Sequence, residues 1–262
     1  MPLRIFQYRP SAACLKAIQK TLLAGLILFV QACSFIYSDD TYSAQQLRVT
    51  GIAPDSAAQA LITPYKSTLD AEMNAVVGEI AVDMRREKPE STLGNFICDV
   101  VVAQSQKVYQ PTIDFGVYNY GGIRQEFLNK GPVTKGKIYE LLPFENFGAV
   151  VKMDGAGVWA LAQKIVDEGG WPVSSGIKIV VRESKVAELF IQGAPVDNTK
   201  TYHVVMNDYM ANGGDKMPFI KPENIQVLGV TIRDMMLTHL QELSANGKQA
   251  SAAKEGRIVY AD

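Results

Sequence analysis

The sequence predicts an α+β domain in which a mixed sheet is layered with helices. Three observations predict it: helix-like and strand-like apolar patterns are mixed along the chain, two strand patterns follow each other as a hairpin, and no internal repeat or low-complexity stretch interrupts them. The chain has 262 residues and 47% apolar residues, enough for one sizeable core. We expect the domain to occupy residues 57–262.

Two helices and a strand are predicted in the first half of this domain. The first helix has apolar residues at helical spacing and is expected to pack on the domain: Leu61, Tyr65, Leu69, Met73 and Val76. Ser91 or Thr92 can cap the second helix. That helix carries one apolar stripe of Leu93, Phe96, Ile97, Val100 and Val101, with Cys98 beside it. Residues 113–118 are predicted to form a short strand.

The second half begins with a predicted strand at residues 148–153, followed by a helix. The buried face of that helix comprises Val158, Leu161, Ala162, Ile165 and Val166, and Gly169 and Gly170 end it. Residues 177–182 and 186–191 form the expected hairpin, and residues 193–198 a turn. A strand at 201–206, a helix at 232–243 and a final strand at 257–260 complete the domain.

Residues 1–33 have the pattern of an export signal. Four basic residues and no acidic ones precede an apolar run at 21–30, which is shorter than the ~20 residues of a membrane span. The run ends in Ala32 and Cys33, which resembles a bacterial lipoprotein cleavage box, so we expect Cys33 to be lipidated. Ordinary signal cleavage and an uncleaved anchor extended through Ile36 are the alternatives. Each places the rest of the chain outside the cytoplasmic membrane, in the periplasm or at the cell surface, and residues 34–56 would be a tether.

Composition argues against several classes of function. Removing residues 1–33 takes away four of the 26 basic residues and none of the 27 acidic ones, so the net charge falls from −1 to −5, without a basic stripe for nucleic acid. The two histidines, His203 and His239, lie in separate predicted elements and do not form a metal-ligand set. A G-x-S-x-G elbow and a phosphate-binding P-loop are both missing. Cys98 has no partner within the expected mature chain for an intramolecular disulfide.

Two polar clusters follow predicted strands and suit a nucleoside. The stretch from Asn207 to Asp215 joins an aromatic residue, Tyr209, to a carboxylate through Asn-Gly-Gly. An aromatic side chain stacks on a base, and a carboxylate accepts hydrogen bonds from ribose hydroxyls. The stretch from Asn119 to Arg124 adds an amide for a base edge and a guanidinium for an anion. Each piece alone is typical of an ordinary turn or surface residue, so their coincidence carries the prediction.

The chain resembles the C-terminal domain of the 5′-nucleotidase family from about residue 61 to residue 260. Four motifs occur in the family's order: Leu-Gly-Asn-Phe-Ile-Cys-Asp at 93–99, Asn-Tyr-Gly-Gly-Ile-Arg at 119–124, Leu-Pro-Phe at 142–144, and Asn-Asp-Tyr-Met-Ala-Asn-Gly-Gly-Asp at 207–215. Tyr120 replaces a glycine of the family pattern, and Glu145 stands where glycine is frequent. Either residue is expected to narrow the pocket or change base preference.

The resemblance implies a set of substrate-binding residues. Phe144 and Tyr209 would clamp the base. The remaining residues would contact the base edge, the ribose or the phosphate side, or allow close backbone approach: Asn119, Gly121, Gly122, Arg124, Gly213, Gly214 and Asp215. Arg85 and Arg86 are both candidates for a further family arginine upstream of residue 93.

The resemblance also implies what this chain would not do alone. The family's metal ions, such as Zn, Mn or Mg, and its catalytic residues belong to another domain, to which no residues here correspond. We therefore expect no cofactor and no catalytic residue in this chain. The leading hypothesis is the nucleotide-binding subunit of a split 5′-nucleotidase, anchored by lipid and completed by a separate metallophosphatase. The alternatives are a free-standing nucleoside- or nucleotide-binding lipoprotein and a remnant that has lost affinity.

Overall fold

A computed structural model describes residues 20–21, 51 and 53–261 of the chain. The predicted signal segment, apart from residues 20 and 21, therefore lies outside the described residues, as do Cys33 and most of the predicted tether. Residues Ser56–Asp262 form one compact unit. Among the described residues, no helix combines the length and the apolar character needed to cross a membrane.

Helices and strands are mixed along this unit, as the sequence predicts. The first half contains α1 (Ser56–Met73), β1 (Val76–Ile80), β2 (Met84–Arg85), α2 (Thr92–Val108), β3 (Phe115–Gly116), β4 (Phe127–Leu128), β5 (Gly131–Thr134) and α3 (Lys135–Leu141). The second half contains β6 (Phe147–Met153), α4 (Gly155–Asp167), β7 (Ile177–Arg182), β8 (Lys185–Ile191), β9 (Ala194–Pro195), β10 (Tyr202–Asn207), α5 (Asp208–Ala211), β11 (Ile225–Thr231), α6 (Ile232–Ala245) and β12 (Ile258–Tyr260).

A four-stranded sheet of order β11-β6-β10-β3 lies between two hydrophobic cores. Side chains alternate between the faces of a strand, so neighbouring residues of β6 and β10 enter different cores. Val150 and Val205 pack with the core of α2 and α6, whereas Val151 and Val204 pack with the core of α4, β7 and β8. This sheet is mixed, because β10 runs parallel to β3 and antiparallel to β6.

Local capping chemistry explains where the helices begin and how the hairpin turns. The Ser91 hydroxyl accepts a hydrogen bond from the backbone N–H of Gly94, so Ser91 is the N-cap of α2. The side chain of Asp154 caps α4 in the same way. Between β7 and β8, Glu183 and Ser184 have φ angles of 48° and 61°, which suit a two-residue hairpin turn.

The prediction that the first helix packs on the domain is wrong. α1 buries none of its residues, and Leu61, Tyr65 and Leu69 are each more than half exposed. Helical spacing of apolar residues favours a helix but does not specify a partner for it. The apolar pattern of the predicted helix also included Val76, which belongs to β1.

Several short elements were not predicted, and one strand was predicted too long. The unpredicted pairings are β1 with β5, β2 with β4, and β11 with β6. Of the strand predicted at residues 113–118, only residues 115–116 pair in the central sheet. These strands are short or interrupted, so the alternation of apolar and polar residues that indicates a strand is weak in their sequences. In β11 the register shifts between Val227 and Thr231, around Gly229 with φ 72°.

Candidate functional site

A cavity of about 370 Å³ lies where the ends of several elements meet. Seven of the nine residues predicted to bind substrate line it: Asn119, Gly121, Gly122, Arg124, Phe144, Tyr209 and Asp215. The other two, Gly213 and Gly214, line an adjoining depression that shares Tyr209 with the cavity. Residues separated by up to 96 positions in the chain are thus brought to one site.

The first wall is the loop from Asn119 to Arg124. Asn119 precedes a single 3₁₀ turn at Tyr120–Gly122, and the backbone N–H of Arg124 donates to the carbonyl of Leu141 at 2.9 Å, which ties the loop to the end of α3. Gly122 is required by close packing: a Cβ there would lie 2.5 Å from Cε1 of Tyr118. The loop can therefore lie flat against the core while Asn119 faces the cavity.

Phe144 stands on the segment that joins α3 to β6. Its ring is 41% exposed, and the guanidinium carbon of Arg124 lies 5.1 Å from the ring centroid. The buried Arg233 supports the segment from α6, donating to the Pro143 carbonyl and to the Glu145 carboxylate, both at 3.4 Å. Glu145 is exposed and does not line the cavity, so the expectation that it narrows the pocket is wrong for this structure.

The loop after β10 carries Tyr209 and Asp215. Tyr209 is 49% exposed and packs over Gly214, where a Cβ would lie 2.6 Å from Cε1 of the ring. Asp215 has a left-handed φ of 56°, an uncommon conformation for a residue other than glycine. Such local strain is a feature of binding sites, and here it accompanies a carboxylate on the cavity wall.

Buried amides connect the two loops behind the cavity. Nδ2 of Asn119 donates to Oδ2 of Asp215 at 2.9 Å, and Nδ2 of Asn207 donates to Oδ1 of Asn119 at 2.9 Å. The hydroxyl of Tyr118 lies behind them, and burial raises its pKa to about 12 against the opposing interactions with Asn207 and Asn146. Tyr118 therefore stays protonated across the physiological pH range.

Neither candidate for the upstream arginine lines the cavity. Arg85 is exposed on β2 and lies 4.9 Å from the centroid of the Phe127 ring. Arg86 lies behind the first loop, where its guanidinium donates to the carbonyl of Ile123 and covers the ring of Tyr120. Tyr120 does not line the cavity either, so the expectation that it narrows the pocket is also wrong for this structure.

Two residues of the site were missed at the level of sequence. Asn146 lines the cavity and the adjoining depression, two positions after Phe144. Its position beside the Leu-Pro-Phe motif is the signal that would have indicated it. Asn207 was noted only as the start of a motif, although its side chain holds Asn119 in place. A polar residue that ends a strand and caps a helix can be recognised in sequence, but its side-chain partner cannot.

The histidines lie apart from this site. Nδ1 of His203 is 2.6 Å from the hydroxyl of Tyr109, and His239 is half-buried on α6. Within the part of the chain that the structure describes, no three His, Cys, Asp or Glu side chains are grouped to hold a metal ion. Cys98 is buried as a free thiol, and burial raises its pKa well above the ordinary value.

Several relatives and solved structures match most of this chain. Silent protein UshA(0) of Salmonella typhimurium is 29% identical over 188 residues, covering 70% of this chain and 34% of its own length. Cell wall protein Lmo0130 of Listeria monocytogenes is 28% identical, covering 80% and 30%. The crystal structure of a 5′-nucleotidase precursor from Thermus thermophilus has a TM-score of 0.67 at 28% identity, covering 79% of this chain and 43% of its own.

The chain thus spans about a third of the length of these two curated relatives. The family model described as 5′-nucleotidase, C-terminal domain, matches residues 76–222. That stretch begins at β1 and includes both loops and the Phe144 segment, so it contains every residue of the cavity described above. The chain therefore belongs to the family of proteins that carry the 5′-nucleotidase C-terminal domain.

Proposed function

We propose that this chain binds a nucleoside or nucleotide in the cavity between Phe144 and Tyr209 and serves as the nucleotide-binding subunit of a split 5′-nucleotidase. A single observation carries the binding proposal. Two partly exposed aromatic side chains and a carboxylate line one cavity, together with an amide and a guanidinium.

The aromatic walls support recognition of a base. A base offers two flat faces, and stacking on an aromatic side chain contributes ~1–3 kcal/mol per base. Phe144 and Tyr209 come from different segments and both line the cavity. Their partial exposure leaves ring surface available to a ligand.

The polar residues support recognition of the rest of a nucleotide. A carboxylate accepts hydrogen bonds from the two ribose hydroxyls, and Asp215 supplies one on the cavity wall. Arg124 is exposed beside Phe144, where a guanidinium suits phosphate oxygens. The cavity thus contains groups complementary to base, sugar and phosphate.

Catalysis would come from a separate metallophosphatase. By the family resemblance, metal ions such as Zn, Mn or Mg would belong to that partner, and this chain would hold the base and ribose so that the phosphate meets them. Its contribution would be positioning rather than bond chemistry. The signal pattern at residues 1–33 and a relative named as a cell wall protein support export, and we propose lipidation at Cys33 as the anchor.

Calorimetric titration of the purified chain with adenosine and AMP tests the binding site. Phe144→Ala and Tyr209→Ala should each weaken binding by about 1–3 kcal/mol, since each removes one stacking surface. Tyr260→Ala is the matched control, because Tyr260 is equally exposed on β12 and does not line the cavity. A folded wild-type chain that binds neither ligand would contradict the proposal.

Phosphate release from AMP tests the split enzyme. We expect none from the chain alone with Zn, Mn or Mg, and release when an exported metallophosphatase from the same genome is added. Phe144→Ala should reduce the release in the mixture. Release by the chain alone contradicts the need for a partner, whereas nucleotide binding without activation of any such phosphatase favours a free-standing binding protein.

A further inference from the structure

Asn207 is a fully buried amide that connects the backbone of α5 with the cavity wall. Its Oδ1 accepts a hydrogen bond from the backbone N–H of Met210 at 2.8 Å, and its Nδ2 donates to Oδ1 of Asn119 at 2.9 Å. Nδ2 of Asn119 in turn donates to Oδ2 of Asp215 at 2.9 Å. These groups form one series of hydrogen bonds, with a single donor-to-acceptor direction, that ends at the cavity.

The first donor and the last acceptor fix the direction of this series of hydrogen bonds. The backbone N–H of Met210 can only donate, and the carboxylate of Asp215 accepts. Each side-chain amide has one accepting and one donating end, so two amides between a fixed donor and a fixed acceptor satisfy all three contacts in one orientation. Turning either amide would bring two oxygens or two NH₂ groups together and leave buried groups unpaired, which is unfavourable.

This orientation places the donor end of the Asn119 amide on the side of Asp215 and the cavity. Its Oδ1 is already the acceptor for Asn207, and one of the two hydrogens on its Nδ2 is taken by Asp215. The described residues provide no acceptor for the second hydrogen, and the side chain lines the cavity. An amide that was free to turn would present a donor to one ligand and an acceptor to another.

We propose that Asn207 is a positioning residue that makes the cavity selective for a base with an unprotonated acceptor, a ring nitrogen or carbonyl oxygen, opposite Asn119. This inference rests on the proposed function, because it takes a base as the ligand. A base with a C–H at that point leaves the Asn119 N–H unpaired, and a base with an N–H there places two donors together. Sites built around a hydrogen bond discriminate strongly against such ligands.

Titration with adenosine and its 1-deaza, 3-deaza and 7-deaza analogues tests this selectivity, because each analogue replaces one ring nitrogen by C–H. We expect one analogue to bind the wild-type chain about three- to tenfold more weakly than adenosine, the value of one hydrogen bond. Asn207→Ser keeps an N-cap oxygen for α5 but is too short to reach Asn119. In this variant adenosine should bind about three- to tenfold more weakly, as expected for one lost neutral hydrogen bond. The ratio between its affinity and that of the discriminated analogue should fall below about twofold.

Asn246→Ser is the matched control. Asn246 follows α6 and does not line the cavity, and its amide donates to the Glu242 carbonyl and not to Asn119, so the variant should discriminate as the wild type does. Equal binding of adenosine and all three analogues by the wild type would overturn the inference and leave the proposed function standing. No binding of adenosine or AMP by the folded wild type would overturn both.

Nuclear magnetic resonance of the ¹⁵N-labelled wild-type chain covers the case in which Asn207→Ser does not fold. Adenosine should shift one of the two side-chain amide protons of Asn119, and the weakly binding deaza analogue at saturation should not. Identical shifts with the two ligands would contradict a donor role for Asn119.

Discussion

Two buried polar clusters in this molecule differ in where their hydrogen bonds end. One cluster, around Glu90 and Arg257, is closed, because its donors meet acceptors of the chain itself. The other, formed by Asn207, Asn119 and Asp215, is open, because it ends on a cavity wall with one amide N–H to spare. The difference teaches that burial and hydrogen bonding alone do not mark a binding site. An unsatisfied group that faces a cavity does.

The closed cluster joins the C-terminal strand to the start of α2. The five N–H groups of Arg257 make five hydrogen bonds, to the side chains of Asp99 and Glu255 and to the Val173 carbonyl. The carboxylate of Glu90 accepts from three consecutive backbone N–H groups at residues 255–257 and from the Asn95 amide. Nothing remains for a ligand, so we interpret this cluster as structural.

Glu90→Ala should have the largest effect on stability. It leaves several buried donors without an acceptor, and we expect the free energy of unfolding to fall by about 3 kcal/mol or more, measured by urea unfolding. Glu87→Ala is the matched control, because Glu87 is an exposed glutamate paired with Lys254 and should matter little. Equal losses in the two variants would remove the distinction between a closed cluster and a surface ion pair.

Asn119→Ala should weaken ligand binding as well as lower stability. It leaves the buried Nδ2 of Asn207 without an acceptor, whereas Asp215 lies on the cavity wall, so the free energy of unfolding should fall by about 1–2 kcal/mol, less than in Glu90→Ala. Binding of adenosine should fall about tenfold or more, because the amide for the base edge and the contact to Asp215 are both lost. Urea unfolding and titration on the same preparation measure the two effects. A large loss of stability without loss of binding would contradict the open-cluster interpretation.

The comparison of α1 with α2 explains how much of the fold the sequence predicts. Both helices have apolar residues at helical spacing, and both were predicted. α2 buries ten of its 17 residues, whereas α1 buries none of its 18. Local patterns and caps determine that a helix forms, but its partner depends on surfaces distant in sequence. Paired short strands such as β1 with β5 and β2 with β4 were missed for the same reason, because their stability comes from non-local partners.

The cavity was easier to predict than its support. Motif order placed Phe144, Tyr209 and Asp215 together, since aromatic and carboxylate side chains have a recognisable chemistry. The buried amide Asn207 and the buried Arg233 behind the cavity have no such signal. Their roles depend on distances to Asn119 and to the Pro143 carbonyl, which only the folded chain defines.

The smallest expected effect on stability comes from a third polar cluster, on the surface between α2 and α6, and it depends on pH. His239 is half-buried there, with Nδ1 3.5 Å from the Gln104 amide, and Glu242 and Lys107 are the charged groups near it. Burial holds the pKa of His239 below its ordinary value of 6.5, and Lys107 adds to the decrease while Glu242 opposes it. The unfolded chain therefore takes up this proton first as the pH falls.

The sign of the pH dependence follows from that lowered pKa. The stability contribution of neutral His239 is complete above about pH 6.5 and is lost as the pH falls through the folded-state pKa. His239→Gln, which cannot be protonated, should show a smaller decrease in the urea midpoint between about pH 7.5 and 5.5 than the wild type. The pH dependence of the variant is compared with its own value above pH 7.5, where both side chains are neutral. Identical pH profiles would mean that this surface cluster, unlike the two buried ones, does not distinguish the folded from the unfolded chain.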